Sequence, residues 1–467
     1  MGQRDDDKKI LWHTLAFMAF STVWGFGNVI NGFSEYGGLR AIVSWILIFA
    51  IYFVPYALMV GELGSTFKDA GGGVSSWIQE TIGPRMAYYA GWTYWVVHMP
   101  YISQKPNSTV IAASWALFQD KRASSMDTTV MQLICLVIFL FAMYLSSKGM
   151  GVLKRLSALA GSTMFIMSML FIAMMVAAPA LTGGTFMTIQ WSLKTFIPTF
   201  DASFFMGLSI LVFAVGGCEK ISPYVNKMKD PSRDFSKGMA ALALMVAVTA
   251  ILGTVALGMM FDSSHIPPDL MTNGAYYAFQ RLGEYYHMGN FFVIVYALTN
   301  LIGQFSVMVL SVDAPLRMLL DSADTRFIPR KMFEKNEHGT YVNGHRLVML
   351  IVCVLIIVPA FGIRNVDVLV RWLVKVNSVC MPLRYLWVFV AYIALKKAGD
   401  AYHAQYQFLK GKTAGILVGI WCFGFTAFAC ITGIYSDDLF QLVLNIVTPF
   451  VLVGLGFILP WLAAREN

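Results

Sequence analysis

The chain has 467 residues, of which 57% are hydrophobic and 13% charged, where a soluble protein carries about a quarter charged residues. That excludes an ordinary soluble enzyme. The net charge of +8 comes with no basic stripe interleaved with aromatics, so a nucleic-acid partner is excluded as well.

In chain order, the polar stretch Met1 to Lys9 runs straight into a long apolar segment with no small-residue cleavage site, and the first span is expected to be retained. A helix needs about 20 apolar residues to cross the hydrocarbon core. Twelve such runs follow, at about 10–34, 38–63, 85–117, 128–146, 156–180, 199–219, 237–261, 288–317, 346–362, 367–396, 412–433 and 438–463. The fold class is therefore an all-α integral membrane protein, a single polytopic domain with both termini on one side. Lys and Arg decide which side, because cytoplasmic loops are enriched in them. With the N-terminus inside, the inner pieces hold 24 of the 34, among them Lys68, Arg85, Lys148, Lys220, Lys227 and Lys229, and the outer loops hold six. The expected location is the cytoplasmic membrane with both termini cytoplasmic.

The longest loops, about 262–287 outside and 318–345 inside, are too short for a catalytic domain. Neither H-E-x-x-H nor G-x-S-x-G occurs, so no enzyme activity is expected. All six cysteines lie in apolar segments without a C-x-x-C pair or a histidine beside them, which removes disulfides and structural zinc from consideration. Asp262, His265 and Asp269 surround Pro267-Pro268 and read as a solvated loop rather than a metal site. No metal or cofactor is implied, and oligomeric state leaves no mark on the sequence.

Two spans carry glycine clusters in mid-membrane. The first reads Val23-Trp24-Gly25-Phe26-Gly27-Asn28, and the sixth Phe213-Ala214-Val215-Gly216-Gly217-Cys218-Glu219. Each glycine costs a helix about 1 kcal/mol against alanine, which makes local unwinding easy. Unwound backbone survives at this depth only where it is buried in protein or lines a cavity. Close helix packing is the competing use of small residues. Paired breaks at corresponding positions of two halves point to a transporter site. Amides near Gly25 to Asn28 suit a carboxylate, and carbonyls around Val23, Trp24 and Phe213 to Gly216 suit an ammonium. Trp24, Phe26 and Phe213 are expected to close over the ligand.

At this point the chain resembles the amino acid, polyamine and organocation (APC) superfamily of transporters. The stretch Gly61-Glu62-Leu63, Ala70-Gly71-Gly72-Gly73, Trp77, Gly83-Pro84-Arg85 and Gly91-Trp92 is similar to the family's passage from span two into span three. Gly217-Cys218-Glu219 followed by Lys229-Asp230-Pro231-Ser232-Arg233-Asp234 is similar to its "G-x-E … K-N-P-x-R-D" signature, and a weaker match runs from Ser311 through Arg317 to Pro329. Trp24-Gly25-Phe26-Gly27-Asn28 replaces a G-S-G-I-F type motif and looks more like the glutamate/γ-aminobutyrate antiporter branch. Lys227 stands where an acidic residue is usual. The resemblance implies a LeuT-type 5+5 inverted repeat with helices 1 and 6 discontinuous, the repeats falling at 10–180 and 199–396 with two further helices at 412–463. It also implies alternating access. Span five, about 156–180, has no ionisable residue, so a lysine there cannot replace sodium, and substrate exchange is favoured over proton symport.

Ionisable groups at membrane depth cost roughly 2.5–3.5 kcal/mol on the insertion scale and need a reason. Glu219 matches the family's glutamate and is expected to act in gating or proton linkage, the competing reading being a structural tie to Lys220 or a backbone amide. Lys105 sits in the polar interruption Tyr101-Ile102-Ser103-Gln104-Lys105-Pro106-Asn107. Either it faces the cavity, drawing a substrate carboxylate or pairing with Glu219, or it snorkels outward. Pro106 is expected to break the helix there and free carbonyls. Arg371 and Lys375 share a face of span ten, placed either to draw anions into the vestibule or to snorkel. Ser103, Asn300 and Asn377 are the remaining candidate substrate contacts, and His98 reads as a packed histidine. The cations Lys105, Arg371 and Lys375 against Glu219 lean toward a substrate with a side-chain carboxylate or no net positive charge. The function expected is exchange of an amino acid or amino-acid-derived amine across the bilayer. The alternatives are proton-coupled symport and a non-transporting amino acid sensor.

Overall fold

The computed structural model describes residues 10–70, 73–321, 323–361, 365–402 and 404–466. Among these the chain is helical, and extended pairing is limited to two isolated bridges, Ile10 with Met228 and Lys335 with Tyr341. Ten helices among the described residues are long and apolar enough to cross a membrane. The two expected spans outside that set are still helical. The first is divided into Trp12–Val23 and Phe26–Glu35. The third runs as Pro84–Val96 and His98–Phe118, where His98, Gln104, Lys105 and Asn107 dilute its apolar character.

Other spans are interrupted for identifiable reasons. Gly38–Thr66 contains a five-residue π-helical stretch, Phe49–Phe53, the kind of bulge that re-aims side chains in a long helix. Span ten turns at Met381-Pro382 between Val366–Cys380 and Leu383–Ala398, because proline supplies no N–H to continue the ladder. Pro106 behaves differently from expectation. It lies inside the continuous His98–Phe118 helix, where Asn107 Nδ2 donates to the Ser103 carbonyl at 3.4 Å, as membrane helices tolerate proline when surrounding groups take up freed carbonyls. A few helix starts carry side-chain caps: Asp127 accepts from the amides of Thr129 and Val130, Asp201 from Phe204, and Asn365 from Asp367 and Val368.

The segment 262–287, expected as a loop, carries the helix Leu270–Tyr285. Only Arg281 and Glu284 of this helix are exposed, against a wide buried face that includes Leu270, Asn273, Tyr276, Phe279 and Leu282. That face packs on Phe26–Glu35 and on Phe291–Leu320. The flanking residues form a polar corner as anticipated: Asp262 pairs with His265 at 2.9 Å, and Ser264 with His265 holds its carboxyl down to about 2. Asp269 is bound separately by Tyr277 Oη at 2.6 Å and by Lys121.

The core follows from these pairings. Trp12–Val23 packs against Met150–Leu181 and Pro231–Gly258, and His98–Phe118 lies along Phe291–Leu320. The two broken helices are thus held between long continuous ones, with their breaks facing each other.

Candidate functional site

At the first break, Trp24 and Gly25 are both extended, with φ/ψ of −129°/147° and −152°/161°. At the second, Gly216 is extended, Gly217 has φ +112°, and a 3-10 stretch over Cys218–Lys227 replaces the α-helix. Both glycines are required. Gly217 occupies the left-handed region that L side chains avoid, and a Cβ on Gly216 would lie 2.0 Å from Cζ of Tyr385. One side chain joins the breaks: Asn28 Nδ2 donates to the carbonyls of Val23 and Ala214, each at 3.2 Å. Two carbonyls that the sequence reading reserved for a ligand ammonium are therefore engaged by the protein itself.

Between the breaks lies a cavity of about 170 Å³. Val23, Trp24, Gly25, Gly27, Asn28, Lys105, Phe213, Gly216 and Asn300 line it. The indole N–H of Trp24 has no hydrogen-bond partner among the described residues. The remaining candidates lie outside the wall. Phe26 packs against Phe171 at 4.8 Å and Phe279 at 5.4 Å, so it supports the break from behind rather than closing over a ligand. Ser103 is spent on the Pro100 carbonyl, and Asn377 donates to Gln104 Oε1 at 2.8 Å. Ala214 contributes the carbonyl held by Asn28, and a side chain on Gly217 would meet the Arg384 guanidinium at 3.1 Å.

Glu219 is fully buried beneath the cavity, accepting hydrogen bonds from Tyr56 and, at 2.8 Å, from Tyr94, with Arg384 Nε at an ion-pair distance of 3.4 Å. Neither Lys220 nor a backbone amide holds it. Arg384 also donates to His98 Nε2, while His98 Nδ1 faces the Tyr94 carbonyl at 2.6 Å. A guanidinium can only donate and a carbonyl only accept, so His98 is the neutral Nδ1–H tautomer. It orients Arg384, which itself lines the cavity together with Tyr385.

Lys105 neither snorkels nor meets Glu219. Its ammonium hydrogen-bonds Gln304 Oε1 at 3.2 Å, Gln304 bonds Asn300, and Asn300 bonds Tyr276 at 2.8 Å, making a polar strip along the wall. Arg371 and Lys375 are not part of it. Lys375 pairs with Glu35 at 3.1 Å, and Arg371 donates to the Pro268 carbonyl; both tie outer ends of helices together. The cations on the wall are Lys105, Lys220 and Arg384, and no Asp or Glu is among the lining residues.

Sequence reasoning missed Arg384, Lys220 as a wall residue, and the phenols of Tyr56 and Tyr94. Arg384 carried a signal, being an arginine in the middle of an apolar span. The tyrosines carried none, because a phenol is common in membrane helices for packing alone. A second buried ion pair also went unread: Glu62 of the Gly61-Glu62-Leu63 motif meets Lys396 at 2.5 Å, Tyr392 Oη at 3.2 Å and the amide of Phe408 at 2.8 Å.

Comparison with known proteins fits this picture. The family described as amino acid permease matches residues 10–459. An aspartate/glutamate permease of Lactococcus lactis subsp. cremoris (strain MG1363) is 49% identical, over 99% of this chain and 97% of that protein. An inner membrane transporter of Escherichia coli (strain K12) is 23% identical over 84% of this chain and 83% of its own length. A glutamate/gamma-aminobutyrate antiporter of Lactococcus lactis subsp. lactis (strain IL1403) is 23% identical over 79% of this chain and 73% of its own.

Proposed function

The chain belongs to the amino acid permease family, and from that premise we propose that it carries acidic amino acids, of the aspartate and glutamate class, across the cytoplasmic membrane by alternating access. In this reading the bundle has twelve spans in a LeuT-type 5+5 inverted repeat, with both termini cytoplasmic. The observation that carries the substrate class is the charge of the wall: Lys105, Lys220 and Arg384 line the cavity and no carboxylate does. The nearest acid, Glu219, is already matched to Arg384. A cationic amine would add to uncompensated positive charge in a site of low dielectric, whereas a second carboxylate relieves it. The 49% identical aspartate/glutamate permease supports the same class.

The α-carboxylate would take the free amides at the start of Phe26–Glu35, where the helix dipole favours an anion. The ammonium would take carbonyl lone pairs left open near Trp24 and Phe213. Trp24 and Phe213 would cover the bound molecule. The transport mode is exchange of one substrate for another, a reading that the antiporter relative supports. Proton symport is the second reading, favoured by the buried Glu219 carboxylate.

Purified protein in liposomes tests both points. Counterflow is expected with L-aspartate and L-glutamate, and not with γ-aminobutyrate, agmatine or putrescine. Equal counterflow of the amines would overturn the substrate class. Uptake driven by an imposed pH gradient into vesicles empty of internal substrate would replace exchange by symport.

A further inference from the structure

Lys220 is the least explained charge in the molecule. It is 2% exposed, follows the span-six break by three residues, and lies on the cavity wall. Its ammonium donates to Ser311 Oγ at 2.6 Å and stands 5.6 Å from the centre of the Tyr101 ring. Among the described residues it has no ion pair. The other wall cations are engaged. Arg384 is shared between Glu219 and His98, and Lys105 is held by the Gln304 amide. A hydroxyl and a ring face do not compensate an ammonium withdrawn from water. Arg384 and Lys105 oppose the charge, and the acid that favours it, Glu219, is already paired with Arg384.

We propose that Lys220 is the specificity-determining residue, which receives the side-chain carboxylate of an acidic substrate and so completes its own ion pair only when the cavity is filled. The assignment rests on the acidic-substrate reading above. Geometry supports it in two ways. Lys220 belongs to the second broken helix and lines the same cavity as Gly25 and Gly27 of the first, so an α-amino dicarboxylate whose α-carboxylate is held by the amides at the first break would present its other end to Lys220. Lys105, 4.4 Å from the centre of the same Tyr101 ring, adds positive potential at that end of the cavity. The paired anion also neutralises the cluster of three cations, which couples filling of the site to relief of their mutual repulsion.

The competing role for Lys220 is a structural tie from span six to span eight through Ser311. Full-length protein separates the two, because a tie affects every substrate alike. Binding and counterflow of L-aspartate and its uncharged analogue L-asparagine are compared in wild type, Lys220→Met and Lys220→Arg. Lys220→Met is expected to weaken L-aspartate binding about tenfold or more, the scale of removing one partner of a buried charge pair, and to leave L-asparagine unchanged or improved. Lys220→Arg is expected to keep the preference. Equal losses for both ligands in Lys220→Met, or an unchanged preference, overturn the assignment. Should that variant fail to elute as a folded species, Lys220→Gln carries the same comparison. Wild-type protein that neither binds nor moves L-aspartate or L-glutamate would instead overturn the substrate class itself.

Discussion

Glu219 keeps two phenols and a guanidinium around one carboxylate, and Tyr56, Tyr94 and Arg384 come from three different spans. Its charge therefore sets the position of Arg384, which is both its partner and part of the cavity wall. Replacing Glu219 by Gln preserves shape and one acceptor for the phenols while removing the anion that anchors Arg384. Glu219→Gln is expected to remain folded and to slow counterflow about tenfold or more, ~1.4 kcal/mol in the barrier, with a flattened dependence on pH. Normal counterflow with unchanged pH dependence in proteoliposomes would exclude a gating or coupling role. This residue was legible from its motif. Its partners were not, because nothing in spacing along the chain relates positions 56, 94, 219 and 384; only the packing of separate helices does.

At the scale of elements, a small number of buried polar ties join separate spans of the bundle. Glu62 at the end of span two meets Lys396 at the end of span ten, and both reach the following segment, Glu62 through the Phe408 amide and Lys396 through the Leu409 carbonyl at 2.7 Å. Glu62 is 1% exposed and Lys396 8%, so removing either charge strands the other. Lys396→Met and Glu62→Gln are each expected to destabilise the protein by about 3–5 kcal/mol, and the double variant by clearly less than their sum. Thermal unfolding in detergent measures the cycle; single variants within about 0.5 kcal/mol of wild type would mean the pair is a surface-like contact. The glycine breaks were legible because two nearby glycines weaken a helix wherever they occur. The Leu270–Tyr285 helix was not, because its 16 residues, Asn273, Gln280, Arg281 and Glu284 among them, are too few and too polar to look like a span.

For the molecule as a whole, the expected orientation rests on charge rather than on packing. Of the 24 Lys and Arg that the sequence count assigns to one side, Lys220 lies on the cavity wall, and the other 23 against six in the opposite loops still make translocating that set the costlier topology. Ser125, after span three, and Glu337, between spans eight and nine, are both exposed in opposite sets of loops. The native cysteines Cys135, Cys218, Cys380, Cys422 and Cys430 are buried and Cys353 partly so, which leaves a quiet background. A membrane-impermeant maleimide is expected to label Ser125→Cys on intact cells and Glu337→Cys only after permeabilisation. The reverse pattern would invert the topology.

The sequence by itself determined the membrane class, the family resemblance, the expected orientation and the two places where helices come apart. Each of these is a property of composition or of local stretches: hydropathy over a span, the charge of a loop, the helix cost of a glycine pair. Which charges face the cavity was decided by tertiary structure alone. Arg371 and Lys375, read as either drawing anions or snorkelling, tie to Pro268 and Glu35 instead, while Arg384 and Lys220 stand on the wall. A long cationic side chain can reach lipid headgroups, a neighbouring carboxylate or an inner cavity from nearly the same point on a helix. The choice among them depends on the rotation of that helix against its neighbours, which the packing of the whole bundle sets.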